Sequence, residues 1–388
     1  MSDYRQLLVF TEGNALDPST WSNVPYMFIN AFETEFPNIP VHMCNIHVEG
    51  FLGFAICVID KLYNKVITPL LGPMCTFNRT YFYSYLVQRK MKKAIASLLP
   101  PSSPAVLLSF DFSNLPSCRS KSDCAALLCD WTIEYEIKEH QKRIPTHMEE
   151  KLIQRQNVTI SQANHVTSIF PYASKYIEEK CHKECYYSGK HKNIDKHIKT
   201  EINYNRAKSN RFLFIGNKAY LPGLRIIAEA INEYNAKYLD KNEIYLDVIG
   251  MTDEVGDFDG HIVFHGYLNK KKTEEANKYY SLIRNARALI TVSDKWVGAS
   301  SIMEVMSLGT PVIISPNKEL EEMFGEEIPF GWWSSPNEES VLNAIEQSMQ
   351  LQPEELRQMC EAAAAELDGS DWCSLVSRWA KSIGIENS

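Results

Sequence analysis

Short apolar runs recur along the chain, separated by longer stretches whose apolar positions repeat at helical spacing. Runs this short, bounded by turn residues, read as buried strands, and their alternation with amphipathic segments marks a parallel α/β sheet. In the first half the pattern predicts strands at 6–11, 41–46, 66–70, 105–110, 125–130 and 165–170. In the second half it predicts them at 211–216, 244–250, 262–267, 288–293 and 311–315. Helices are expected over 25–35, 146–162, 221–235, 274–285 and 301–308, and from about Tyr81 onward. The stretch 371–383 reads as an amphipathic helix with Trp372, Leu375, Val376 and Trp379 on its apolar face. From 190 to 210 the sequence turns polar, rich in Lys, His and Asn, and reads as a hinge. The expectation is two doubly wound domains, 1–200 and 201–370, with the helix 371–388 returning to the first. Such a pair implies a cleft between the carboxyl edges of both sheets.

Composition narrows the class. Hydrophobic residues make up 45% and charged residues 23% of the 388, which fits a well-cored globular protein and excludes long disorder. The longest mostly apolar stretch, 50–59, is far shorter than the ~20 residues of a spanning helix. The first residues lack the cationic, apolar and cleavage regions of a signal peptide. Ten cysteines are scattered, with Cys44, Cys57 and Cys129 inside apolar runs, as reduced thiols would be. A cytoplasmic protein, peripheral at most to the inner face of a membrane, is expected.

Charge adds an asymmetry. The net −8 divides into 26 Lys and Arg against 20 Asp and Glu over 1–218, and 14 against 28 over 219–388. No acidic residue lies between Lys61 and Phe110, while Lys61, Lys65, Arg79, Arg89, Lys90, Lys92 and Lys93 do. Residues 77–95 interleave aromatics with these cations. An interfacial helix on a membrane surface has this composition, and so does a core helix with a solvated basic face. The excess is too small for a nucleic-acid binder and no such motif is present, so nucleic acid is excluded as a partner.

Candidate chemistry lies mainly in the second half. Residues 213–225 read as strand, Gly216 turn and helix start, where free N–H groups meet phosphate, although such turns also need glycine for backbone reasons alone. More specific is 288–315. A strand ends near Ser293, the small residues Gly298, Ala299, Ser300 and Ser301 open a helix, and that helix carries Glu304 and ends at Gly309. Backbone donors at such a helix start suit a diphosphate, and an acidic residue one turn in suits ribose hydroxyls. Cys181 and Cys185 with His191 and His197 are spaced too closely for a zinc finger, and Asp257 and Asp259 read as a solvated turn. No metal and no cofactor are expected.

The run Glu304-Val-Met-Ser-Leu-Gly-Thr-Pro-Val-Ile resembles, in register, the Glu-Ala-Met-Ala-x-Gly-x-Pro-Val-Ile signature of the retaining GT-B glycosyltransferases of glycosyltransferase family 4. Fainter similarity touches 11–26, 155–168 and the helix at Trp372. The resemblance implies a GT-B fold of two Rossmann-like domains. It implies transfer of a hexose from a nucleoside-diphosphate sugar, UDP favoured over GDP, to a glycan or lipid-linked glycan, as in surface polysaccharide or glycolipid synthesis. Gly216, Asn217, Lys218, Lys295, Gly298, Ala299, Ser300, Ser301 and Glu304 would face the donor, and Gly13, Trp21 and Ser22 the acceptor. Asp130, at the end of its strand, would stand near the reacting sugar, or else cap the helix that begins near Thr132. The sequence departs from the family at three positions. Trp296 stands where an earlier glutamate is usual, Asn217 where an arginine is, and Pro222 where a lysine is. Those cations neutralise the leaving diphosphate. Either Lys218, Arg225 or Lys295 replaces them, with Lys218 and Arg225 then catalytic, or the chain is a non-catalytic GT-B-like binding or partner subunit.

Overall fold

The computed structural model describes residues 4–17, 20–48, 50–101, 103–194, 198, 200–239, 243–294 and 299–385; the side chains of Ser22, residues 50–52, Phe54 and Ala55 lie outside the description. The chain divides into two compact units, Met1–Gly189 with Trp372–Ser388, and Lys190–Asp371.

In the first unit six parallel strands, β1 (Gln6–Thr11), β2 (Val41–Asn45), β3 (Ala105–Ser109), β4 (Cys124–Cys129), β5 (His165–Ser168) and β6 (Tyr186–Tyr187), lie in the order β2-β1-β3-β4-β5-β6. The helices are α1 (Val24–Glu35), α2 (Gly50–Val66), α3 (Thr68–Leu71), α4 (Tyr81–Leu98), α5 (Ile133–Tyr135), α6 (His147–Gln162) and α7 (Pro171–Cys181). The four inner strands β1, β3, β4 and β5 are short and nearly all buried on both faces, as a parallel sheet covered by helices requires, while the edge strands β2 and β6 are half-buried. The register, Leu7 opposite Val41 and Gln6 opposite Ala105, brings the carboxyl ends of β1, β2 and β3 to one edge. Leu8, Phe10 and Leu107 pack against Val87, Met91 and Ile95 of α4.

The second unit has its own parallel sheet, β7 (Arg211–Ile215), β8 (Tyr245–Ile249), β9 (Ile262–Phe264), β10 (Leu289–Thr291), β11 (Val312–Ile314) and β12 (Gly331–Trp333), in the order β12-β11-β10-β7-β8-β9. Its helices are α8 (Leu221–Lys237), α9 (Thr273–Asn285), α10 (Ala299–Met306), α11 (Lys318–Phe324), α12 (Glu338–Gln350) and α13 (Pro353–Ala365). Phe212, Phe214, Leu246, Val248 and Ile290 meet Ile227 and Ile231 of α8 in one core. A Cβ on Gly223 would stand 2.1 Å from the Val292 carbonyl oxygen, so only glycine lets α8 lie this close to the end of β10. Helix α14 (Trp372–Ser382) rejoins the first unit and lies along α1, where the buried Trp379 indole meets Phe28 edge-on at 4.9 Å.

One expected strand is a helix. Residues 66–70 form the end of α2 and the start of α3, with Pro69 in the first helical turn, where its missing N–H costs nothing. An apolar run of this length fits a strand or a buried helix equally well, and chain contacts decide. Strands β6 and β12 and helices α2, α7, α11, α12 and α13 were not foreseen. Part of the polar stretch expected as hinge is anchored. Arg206 is buried and its guanidinium donates to the carbonyls of Ile283 (3.2 Å) and Ala286, at the carboxyl end of α9. All ten cysteines are free thiols.

Glu149 ties the first unit's outer layer together. Its carboxylate completes the capping box of α6 by accepting from the Thr146 N–H (2.9 Å), pairs with both Arg143 Nη atoms (2.7 and 2.8 Å), and accepts the distant Met74 N–H (3.0 Å).

Candidate functional site

In the second unit the sheet order reverses between β7 and β10, and a parallel α/β sheet opens a crevice at the carboxyl edge where this happens. The segments that leave those two strands are the ones singled out from the sequence. After β7, Gly216 donates its N–H to the Ile249 carbonyl (3.0 Å), and Asn217 caps the turn 218–220 through Oδ1 to the Ala219 N–H (2.9 Å). Lys218 is exposed on that turn. Arg225, exposed on α8, lines an open groove of about 250 Å³ with Glu229, Asp257 and Asp259. After β10, helix α10 starts at Ala299, which is buried, with Ser300 and Ser301 half-buried beside it. Lys295 and Gly298 lie outside the described residues.

Glu304 is buried in the second turn of α10, and both carboxylate oxygens are engaged. Lys270 Nζ, from the loop between β9 and α9, donates to Oε1 at 2.5 Å, and the Tyr279 hydroxyl donates to Oε2 at 3.0 Å. The Lys270 ammonium also lies 4.5 Å from the centre of the Tyr279 ring. Burial, and next the Glu304 charge, push the Tyr279 phenol well above its ordinary range, so it stays a donor. Neither Lys270 nor Tyr279 was singled out from the sequence.

In the first unit the order reverses between β1 and β3, and there a cavity of about 540 Å³ opens at the carboxyl edge. Thr11 ends β1 and Glu12 follows it, Phe110 and Asp111 follow β3, and Cys129 ends β4 with Trp131 just beyond, while Arg79 and Asn78 enter from the segment before α4. Aromatic faces beside carboxylates and amides (Asn114, Gln156) are the chemistry of a pocket for a polyhydroxyl ligand. Burial raises the Glu12 carboxyl and Asp111 raises it further; burial lowers Arg79 although Asp111 and Glu136 oppose this. Glu136 belongs to the π-helical turn Glu136–His140, a form of helix frequent at functional sites, and its Oε2 lies 2.7 Å from His140 Nδ1.

Asp130 follows β4, between Cys129 and Trp131, which line this cavity. The Trp21 indole Nε1 donates to its Oδ2 at 3.3 Å. Burial pushes the carboxyl up to about 7 against the opposing Trp21 bond. It is not the cap of the following helix, because the Thr132 side chain accepts the Tyr135 N–H in that role. Trp21 and Asn23 hold positive φ, 41° and 74°, a strained geometry for such residues that places the indole on Asp130. Gly13 (φ 107°) opens the loop, its N–H donating to Asn45 Oδ1 at 3.0 Å. The side chain of Ser22 lies outside the described residues. Glu12, Arg79 and Asp111 escaped notice in the sequence, because they converge only when three elements are brought together.

No curated protein matches the sequence. Residues 195–367 match the family model of the glycosyl transferases group 1. Among solved structures the chain is similar to WaaG, a glycosyltransferase involved in lipopolysaccharide biosynthesis, at 11% identity with a TM-score of 0.64 over 98% of this chain and 99% of that one. It is similar to HepE of Anabaena, solved in complex with UDP, at 11% identity and a TM-score of 0.58 over 98% and 99%. It is also similar to TarM of S. aureus at 12% identity and a TM-score of 0.55, covering 77% of this chain but only 59% of TarM. At these identities the likeness shows the fold, the GT-B arrangement of two Rossmann-like α/β units.

Proposed function

We propose that this chain, whose residues 195–367 match the model of the glycosyl transferases group 1, moves a hexose, with retention, from a nucleoside-diphosphate sugar to a glycan or lipid-linked glycan. The observation that carries this is the buried Glu304 carboxylate, set in the second turn of α10 beside the switch point of the family-matched unit. Ribose hydroxyls donate to a carboxylate in such a place, while the start of α10 offers backbone N–H groups to a diphosphate. UDP is favoured over GDP, in line with the UDP bound by HepE. In the reaction the bond from the anomeric carbon to the diphosphate breaks, its electron pair leaving on the phosphate oxygen. An acceptor hydroxyl bonds to that carbon on the same face, and its proton passes to the departing phosphate oxygen. The first unit's cavity takes the acceptor, and Asp130, when ionised, steadies positive charge on the sugar ring.

Titration calorimetry with UDP and GDP tests the donor assignment. Glu304→Gln is expected to weaken UDP binding about 100-fold, on the order of 3 kcal/mol for a lost set of charged hydrogen bonds. Unchanged affinity in that variant removes Glu304 from the donor site, and a native chain that binds no nucleotide sinks the reading as a whole. A specific observation favours a second reading, a non-catalytic binding subunit. Asn217 and Pro222 stand where the family's diphosphate-binding cations are usual, and Arg225 faces carboxylates instead. Donor hydrolysis by the purified chain decides against it.

A membrane surface is the further partner we propose. Helix α4 buries Tyr83, Val87, Met91 and Ile95 and exposes Tyr81, Phe82 and Tyr85 together with Arg89, Lys92 and Lys93, so one helix is both core and interfacial face. No helix among the described residues is long and apolar enough to cross a membrane. Flotation with vesicles containing anionic phospholipid is expected to carry the chain, and replacing Arg89, Lys92 and Lys93 by glutamate to release it. Equal flotation of native and variant chains sinks this proposal.

A further inference from the structure

We propose that Lys270 is the residue that meets the donor's diphosphate, exchanging Glu304 for it when the nucleotide binds. The inference rests on the donor reading above and adds to it the cation that the sequence pattern lacks. Of the cations expected in that role, Arg225 lines a groove with Glu229, Asp257 and Asp259, Lys218 is exposed on its turn, and Lys295 is outside the described residues. Lys270 instead has its ammonium on the donor-site carboxylate itself, at 2.5 Å from Oε1. Its side chain is still 41% exposed, while that of Glu304 is 5% exposed, so the cation is free to swing on its flexible stem and the anion is not.

The exchange follows from what each group needs. A buried carboxylate left without donors is costly, so Glu304 must hold a partner in every state. In this structure it holds Lys270 and Tyr279. When ribose hydroxyls arrive they replace the lysine as donors, while Tyr279, whose hydroxyl remains on Oε2, keeps the carboxylate aimed. The released ammonium then has a stronger partner within reach. Glu304 lies five residues into α10, on the order of 7–8 Å along the axis from the helix start that faces the phosphates. A point charge on a movable stem suits a phosphate better than a hydroxyl.

The test compares UDP with uridine by titration calorimetry on the full chain, native, Lys270→Ala, Lys270→Arg and, as a control on the exposed face of α9, Lys278→Ala. Lys270→Ala is expected to bind UDP at least 10-fold more weakly while binding uridine as tightly as the native chain or better, since no ion pair must open. Lys270→Arg should recover most of the UDP affinity, and Lys278→Ala should lose little. Unchanged UDP binding in Lys270→Ala overturns the proposal. So does a parallel fall for UDP and uridine, which would leave Lys270 as a prop for Glu304. Retained uridine binding also shows that the variant is folded. If the native chain binds neither uridine nor UDP, the donor reading has failed first and takes this inference with it.

Discussion

At pH 8 the Asp130→Asn chain is expected to melt at a higher temperature than the native chain while transferring sugar about 100-fold more slowly. The two effects share one cause. Burial holds the Asp130 carboxyl up to about 7, well above the ordinary 3.8, with the Trp21 bond opposing. A carboxyl raised in the folded chain favours folding most when protonated. That contribution is fully present below pH 3.8 and is lost as the pH rises through about 7. Ionising it in place at pH 8 therefore costs on the order of 3–4 kcal/mol, which asparagine avoids while keeping an oxygen for the Trp21 indole. The same substitution removes the negative charge proposed to steady the sugar in transfer. Thermal melts between pH 4 and 8 should show the gap between variant and native chain opening up to pH 7 and then levelling. A gap that is flat across this range, or a variant that transfers normally, contradicts the role given to Asp130.

The second large effect is expected at Glu149. Glu149→Ala should cost the first unit about 3–5 kcal/mol, because it leaves the Arg143 guanidinium and the Met74 and Thr146 amides without their shared partner. Burial alone would raise this carboxyl, yet Arg143 and the two amides outweigh it and bring it down to about 2 from 4.5. The sign is opposite to that at Asp130: the stabilisation is full above pH 4.5 and is lost as the pH falls toward 2. With denaturant, a two-unit chain is expected to show the loss in one transition, that of the first unit. Calorimetry that finds both transitions shifted equally, or neither, removes Glu149 from this role. The native chain's stability should also fall in acid between pH 4.5 and 2 by more than that of the alanine variant.

Both predictions turn on residues of different visibility in the sequence. The parallel α/β architecture was legible because short apolar runs and amphipathic segments alternate, and because Glu304 and the residues after it carry a family signature. Asp130 was legible by its place at the end of a strand. Its bond to Trp21 was not, since 109 positions separate them and a strained loop brings them together. Lys270 escaped for a similar reason: nothing in a Lys-rich loop marks the one lysine whose stem reaches a glutamate 34 positions on. Residues 66–70 misled because apolarity there has no period, while Pro69 at a helix start carries information that an apolar count ignores. Strand β12 went unseen because it is three residues long and starts at Gly331, where a Cβ would stand 2.0 Å from the Val312 carbonyl oxygen. That glycine serves close strand pairing, which sequence reading takes for a turn.

The return of α14 to the first unit has a consequence for how the chain is made. Phe28 and Phe32 on α1 are covered by Trp379, yet all of the second unit is encoded between them. At ~5–20 residues per second a ribosome needs roughly 10–35 s to make the second unit alone. Throughout that time the nascent amino-terminal sheet waits with its aromatic flank wet, a ready target for chaperones. Its final closure comes only after translation has passed the downstream segment.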